Sequence, residues 1–67
     1  MSPEKMVHMA NQIATFFKTQ PGADASDKVA EHIRDFWEPR MRAQLRGYVG
    51  QGGSGLDPVV LKASELI

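Results

Sequence analysis

Phe36-Trp37-Glu38-Pro39-Arg40-Met41 holds the chain's only tryptophan, a proline that bends the backbone, and the start of an arginine cluster. Glu38 precedes the proline, and a pre-proline residue is pushed out of the α region by the ring behind it. Pro39 itself suits the first position of a new helix, where a missing N–H costs nothing. The stretch therefore predicts a sharp corner. One helix ends near Trp37, another begins at Pro39, and Glu38 sits at the cap between them.

Upstream of the corner, Val29, Ala30, Ile33, Phe36 and Trp37 share one face at helical spacing. They predict a helix over about 25–37, capped by Asp24 or Ser26. Ser2-Pro3-Glu4 combines a hydroxyl N-cap, a proline at the first helical position and a carboxylate at the positive end of the helix dipole. Met6, Met9, Ala10, Ile13, Phe16 and Phe17 follow, predicting a helix over about 3–19 that Gln20-Pro21-Gly22 ends.

Downstream, Met41, Leu45, Tyr48 and Val49 form the buried stripe of a helix over about 39–49. Gly50-Gln51-Gly52-Gly53-Ser54-Gly55 reads as a flexible linker. Asp57-Pro58 repeats the cap-plus-proline device and opens a short helix over about 58–66. Val59, Val60, Ala63, Leu66 and Ile67 share its inner face, and Leu61 points the other way. Val59-Val60-Leu61 is the only run with β character, and its Asp-Pro start favours helix. The fold class is all-α: one domain over 1–67, a small bundle of three to four short helices with its corner at Pro39. Helices two and three are expected to pack on helix one, and the fourth, beyond the glycines, to dock on the bundle or on something else.

A chain of 67 residues buries only ~60% of its unfolded surface, so its core is thin. Disulfides, a metal or a partner usually support chains of this size. Cys is absent, which removes disulfides and thiolate metal sites and agrees with a reducing cytoplasm. A partner remains. Glu4, Lys5, His8, Asn11 and Gln12 interrupt any apolar secretory-signal segment, and no apolar run approaches the ~20 residues of a membrane span. Eight basic and eight acidic side chains cancel, arguing against nonspecific binding to nucleic acid or anionic lipid. The arginines are nonetheless clustered: Arg34, Arg40, Arg42 and Arg46 are the only four in the chain.

Catalytic motifs are missing. Gly50, Gly52 and Gly55 satisfy G-x-G-x-x-G literally, but that motif acts between a strand and a helix, with an acidic residue ~20 positions on. His8 lies opposite the apolar stripe of its helix, in water. His32 flanks a buried face, placed to cap or to meet a carboxylate. Neither has the converging ligands a zinc site needs. Ser2, Ser26, Ser54 and Ser64 read as caps or linker rather than nucleophiles. Asp27, Glu31 and Asp35 lie on a solvated face, and Met6, Met9 and Met41 fill an irregular core or, as the lesser alternative, offer a plastic partner surface.

Trp and Arg are the residues most enriched in interface hot spots, so the corner carries the functional signal. Arg42 and Arg46 are like charges four residues apart, and their mutual repulsion leaves them seeking acids or carbonyls on another molecule. Glu38–Arg42 and Glu31–Arg34 are the competing intrahelical pairs, and a core position is the competing role for Trp37. The partner-binding set is His32, Phe36, Trp37, Glu38, Pro39, Arg40, Arg42 and Arg46.

The corner string resembles the delta subunit of cytoplasmic NAD-dependent formate dehydrogenases. Supporting stretches are Met9-Ala10-Asn11-Gln12-Ile13-Ala14 with Phe16-Phe17, Gln20-Pro21-Gly22, His32-Ile33, and Gly55-Leu56-Asp57-Pro58-Val59-Val60. The resemblance implies a cytoplasmic, cofactor-free and non-catalytic accessory subunit that docks on the large catalytic subunit and supports assembly or stability. It implies that the large subunit carries a molybdenum or tungsten pyranopterin cofactor and iron–sulfur clusters, with FMN, further clusters and the NAD site on other subunits. Two alternatives stand beside it. One is a transient maturation chaperone whose arginines hold the phosphates of the molybdenum cofactor. The other is a helix-turn-helix nucleic-acid binder reading with the Arg40–Arg46 helix, which zero net charge disfavours.

Overall fold

Prolines open three of the four helices, at Pro3, Pro39 and Pro58. The computed structural model describes residues 2–22 and 24–67. The helices are α1 (Pro3–Lys18), α2 (Ala25–Phe36), α3 (Pro39–Gly50) and α4 (Pro58–Ala63). No strand is present among the described residues, as an all-α chain requires. Ser2 Oγ accepts from Lys5 N at 3.3 Å. Asp24 rather than Ser26 caps α2, its Oδ1 accepting from Ser26 N at 2.8 Å and from Ser26 Oγ at 2.6 Å. Asp57 Oδ1 accepts from Val59 N at 2.8 Å. The corner forms as the pre-proline rule demands: Trp37 (φ −89°, ψ 136°) and Glu38 (φ −68°, ψ 159°) are extended. Glu38 makes no side-chain cap bond.

α4 is shorter than expected, ending at Ala63 rather than near Leu66. Glu65 N and Leu66 N donate to Lys62 O (3.2 Å) and Ala63 O (2.9 Å), a tighter i to i+3 winding that closes the helix. Ser64 Oγ takes the Leu61 carbonyl at 2.7 Å. Leu66 consequently leaves the inner face and is exposed.

The packing order also departs from expectation. α4, not α3, is the close neighbour of both α1 and α2, and α3 stands further out. Side-chain size is the reason. Ala10, Ala14, Ala30 and Ala63 are all buried at the junction of α1, α2 and α4, and small residues let backbones approach. Met6, Val29, Ile33 and Val60 fill the remaining space. α3 contributes one fully buried side chain, Leu45, with Met41, Tyr48 and Val49 half-buried around it.

The glycine segment is tied down rather than slack. Tyr48 O accepts from Gly53 N at 3.1 Å, and Tyr48 OH donates to Ser54 O at 2.6 Å. Asn11 reaches across from α1: its Nδ2 donates to Gly55 O (2.9 Å) and its Oδ1 accepts from Asp57 N (2.8 Å). Leu61, expected to face away, covers buried Gly53.

Charged groups pair differently from the intrahelical scheme. The ion pairs among the described residues are Lys18–Asp57 (2.6 Å) and Lys62–Asp24 (3.3 Å), both reaching to other elements. Glu38–Arg42 and Glu31–Arg34 do not form. Arg34 Nη1 donates instead to Leu66 O at 2.9 Å, and Arg46 Nη1 to Ile67 O at 3.3 Å.

Candidate functional site

The apolar arc of α1 is wider than its core needs. At 3.6 residues per turn, Met6, Ala10, Ala14 and Phe17 point one way, while Ile13, Met9 and Phe16 extend the arc to about 160° of the helix. Burial follows this split: Met6, Ala10 and Ala14 are fully buried, whereas Met9 is 36% and Phe16 58% exposed. α2 does the same at its C-terminal end. Phe36, expected on the inner face with Ile33, lies about 60° around the helix from it and is 75% exposed. Trp37, about 40° from Ile33 on the other side, still donates its N–H to Ile33 O at 2.9 Å and is 6% exposed.

Between these edges runs an open groove of about 530 Å³, lined chiefly by Ile13, Phe16, Phe17, His32, Phe36 and Trp37. Four rings cross it in a row. Phe16 and Phe17 meet edge-on (5.2 Å, 74°), Phe17 and His32 likewise (6.0 Å, 63°), and His32 tilts onto Phe36 (4.7 Å, 33°). These are favourable aromatic separations, so the groove's wall is preformed. His32, expected to cap or to meet a carboxylate, stacks its ring in this row instead.

The predicted partner-binding residues divide into two groups. His32, Phe36 and Trp37 come together in the groove. Glu38, Pro39 and Arg40 are exposed at the corner, and Arg42 is half-buried with its Nε shielded and without a hydrogen-bond partner. Arg46 is drawn to the Ile67 carbonyl. None of the arginines lines the groove. Sequence reasoning missed Gln12, Ile13, Phe16 and Phe17 on the α1 side and gave Met9, read chiefly as core, a partner surface only as the lesser alternative. The signal available was the excess width of the α1 arc.

The site offers apolar and aromatic surface rather than reactive groups. Ser26 and Ser64 hydroxyls are engaged in caps. Among the described residues no three His, Asp or Glu side chains converge, and the sequence has no Cys. No helix of the described residues is long and apolar enough to cross a membrane.

The family model of the NADH-dependent formate dehydrogenase delta subunit, FdsD, matches residues 5–64. The chain belongs to that family. The match spans α1 to α4 and so includes both edges of the groove and the corner between Phe36 and Met41. No curated protein matches the chain significantly. As its family name states, a delta subunit is one component of formate dehydrogenase.

Proposed function

We propose that this delta subunit is a non-catalytic accessory chain that works in the cytoplasm, docks on the large molybdenum- or tungsten-containing subunit of formate dehydrogenase, and supports assembly or stability of the complex. The observation that carries this is the groove. Phe16 and Phe36, two of its three phenylalanines, stand more than half exposed beside each other's helices, an arrangement that marks an interaction surface. Large apolar side chains that are fully buried are few, Met6, Val29, Ile33, Leu45 and Val60. A partner covering the groove adds apolar burial that the chain's own core does not supply.

The maturation-chaperone alternative has less support, because Arg34 and Arg46 hold backbone carbonyls of Leu66 and Ile67 and leave fewer guanidinium groups for cofactor phosphates. The nucleic-acid reading loses Arg46 in the same way. Purification of formate dehydrogenase with and without this chain tests the proposal. The expected result is stoichiometric co-elution with the complex, and a lower melting temperature or yield of the large subunit when the chain is missing. Equal assembly and stability without it overturns the reading, and release of the chain once the cofactor is loaded favours the chaperone.

A further inference from the structure

A polar hollow adjoins the groove, sharing Phe17, His32 and Phe36 with it and adding Lys28, Glu31 and Asp35. Glu31 and Asp35 stand one turn apart on exposed positions of α2. Neither makes an ion pair or hydrogen bond among the described residues. Arg34, between them in sequence, is committed to Leu66 O. Two carboxylates against one ammonium leave this flank acidic. The opposite flank, lined by His8, Asn11, Gln12, Thr15 and Phe16, has no carboxylate, ammonium or guanidinium.

The geometry points to one occupant: an amphipathic helix of a partner polypeptide that seats apolar anchors against Phe16, Phe17 and Phe36 and directs an arginine or lysine toward Glu31 and Asp35. The inference rests on the docking reading above and specifies the partner. Groove-lining positions on α1 recur at Met9, Gln12, Ile13 and Phe16, a row of about 10 Å at 1.5 Å per residue. A helix presenting anchors at i, i+4 and i+7 matches that length. Carboxylates four residues apart repel one another, and a cation between them relieves the repulsion. An arginine or lysine reaching them passes the exposed face of Phe36, where its methylene stem and charge both find favourable contact.

Two other occupants fit less well. Small-molecule sites enclose 70–90% or more of their ligand, and a trough whose walls include Phe16 at 58% and Phe36 at 75% exposure does not enclose one. A second copy of this chain would need a helix that sets an uncommitted arginine or lysine beside an apolar stripe that is not itself a wall of the groove, and Lys18 of α1 is already held by Asp57. α3 has the arginines, but its stripe of Met41, Leu45 and Tyr48 is turned into its own core.

Photo-crosslinking in the assembled enzyme tests the inference, with benzoylphenylalanine in place of Phe36. The expected adduct is a helical segment of another subunit with an arginine or lysine within four residues of the crosslinked apolar side chain. An adduct lacking a nearby basic residue, or one to this chain itself, overturns it. In parallel, Glu31→Lys with Asp35→Lys is expected to weaken association with the remaining subunits about tenfold at low ionic strength and less at high, with the helical circular dichroism unchanged. Phe36→Ala is expected to weaken association at both. If Phe36→Ala weakens binding and the charge reversal does not, the basic flank is wrong while the docking surface stands. If neither matters, both fall.

Discussion

Lys18 Nζ lies 2.6 Å from Asp57 Oδ2, joining the last turn of α1 to the cap of α4 across 39 positions of sequence. Asp57 is thereby used twice, since its Oδ1 also receives Val59 N. The Lys18 hydrogen bond holds the Asp57 carboxyl below its ordinary value of 3.8; burial opposes it, and the Val59 amide and the Lys18 charge add smaller lowering effects. Asp24 is lowered as well, by the Ser26 hydroxyl, the Ser26 amide and Lys62.

A carboxyl whose pKa is lower folded than unfolded stabilises the fold above its unfolded value, and that stabilisation is lost as pH falls through the folded pKa. Both aspartates therefore place the loss below about pH 4. Melting temperature, followed from pH 7 downward, is expected to hold as far as these two groups are concerned and then drop. Asp24→Asn with Asp57→Asn keeps residues that cap helices well but removes the charges, and should flatten the acid limb. An unchanged acid limb in the double variant would assign the drop to other groups. Lys18→Met alone is expected to cost about 0.5 kcal/mol, as half-exposed pairs do, or ~2–4 °C in a domain of this size.

Asn11 is the second tie between the same elements. Its amide satisfies Gly55 O and the part-buried Asp57 N at once. Asn11→Ala leaves both without a side-chain partner, at an expected cost of about 1 kcal/mol, the net value of an intramolecular hydrogen bond whose groups water can still reach. The loss should be local first. Amide exchange at Val60, Leu61 and Ser64 is expected to accelerate more than at Ile33 in α2, and uniform acceleration would mean that α4 does not open separately.

The helices and the corner were legible because their signals are local: prolines at first positions, oxygen-bearing caps, and apolar residues at a period near 3.6. Which helices touch was not. Periodicity states that Leu45 and Val60 each face inward, but not that α4 outcompetes α3 for the α1–α2 junction; that depends on the alanines meeting there. Phe36 illustrates the same limit. Spacing placed both it and Trp37 with Ile33, yet Trp37, about 40° to one side, is buried, whereas Phe36, about 60° to the other, falls on the exposed edge. The groove is the sum of two helix edges, so neither helix read alone reveals it. Gly50 to Gly55 looked like a spacer by composition, and its order comes from partners up to 44 positions away.

Glycines in and after α3 should respond in opposite directions. Gly47 lies within the helix with nothing near its Cβ direction, so Gly47→Ala is expected to stabilise by about 0.5–1 kcal/mol. Gly53 has φ +61°, and a Cβ there would stand 2.5 Å from Leu61 Cδ2. Gly53→Ala combines about 1 kcal/mol or more of left-handed backbone cost with displacement of Leu61, and should destabilise. Urea titration of both variants checks the pair; stabilisation by both would mean that the turn around Gly53 is not held in this form.

Adjacent aromatic residues at the corner should separate fold from association. Trp37 is 6% exposed and packed in the core cluster, whereas Phe36 is 75% exposed. Trp37→Ala is therefore expected to cost about 3–5 kcal/mol of stability, the range for deleting a buried aromatic side chain. Phe36→Ala should change stability by no more than about 0.5 kcal/mol, as exposed positions do, yet weaken association with formate dehydrogenase by ~2 kcal/mol or more if Phe36 is an interface anchor. Melting curves and affinity measured on the same preparations decide between the roles. A Phe36→Ala variant that melts early would place the residue in the fold after all, and one that melts and binds like the parent would remove it from the interface.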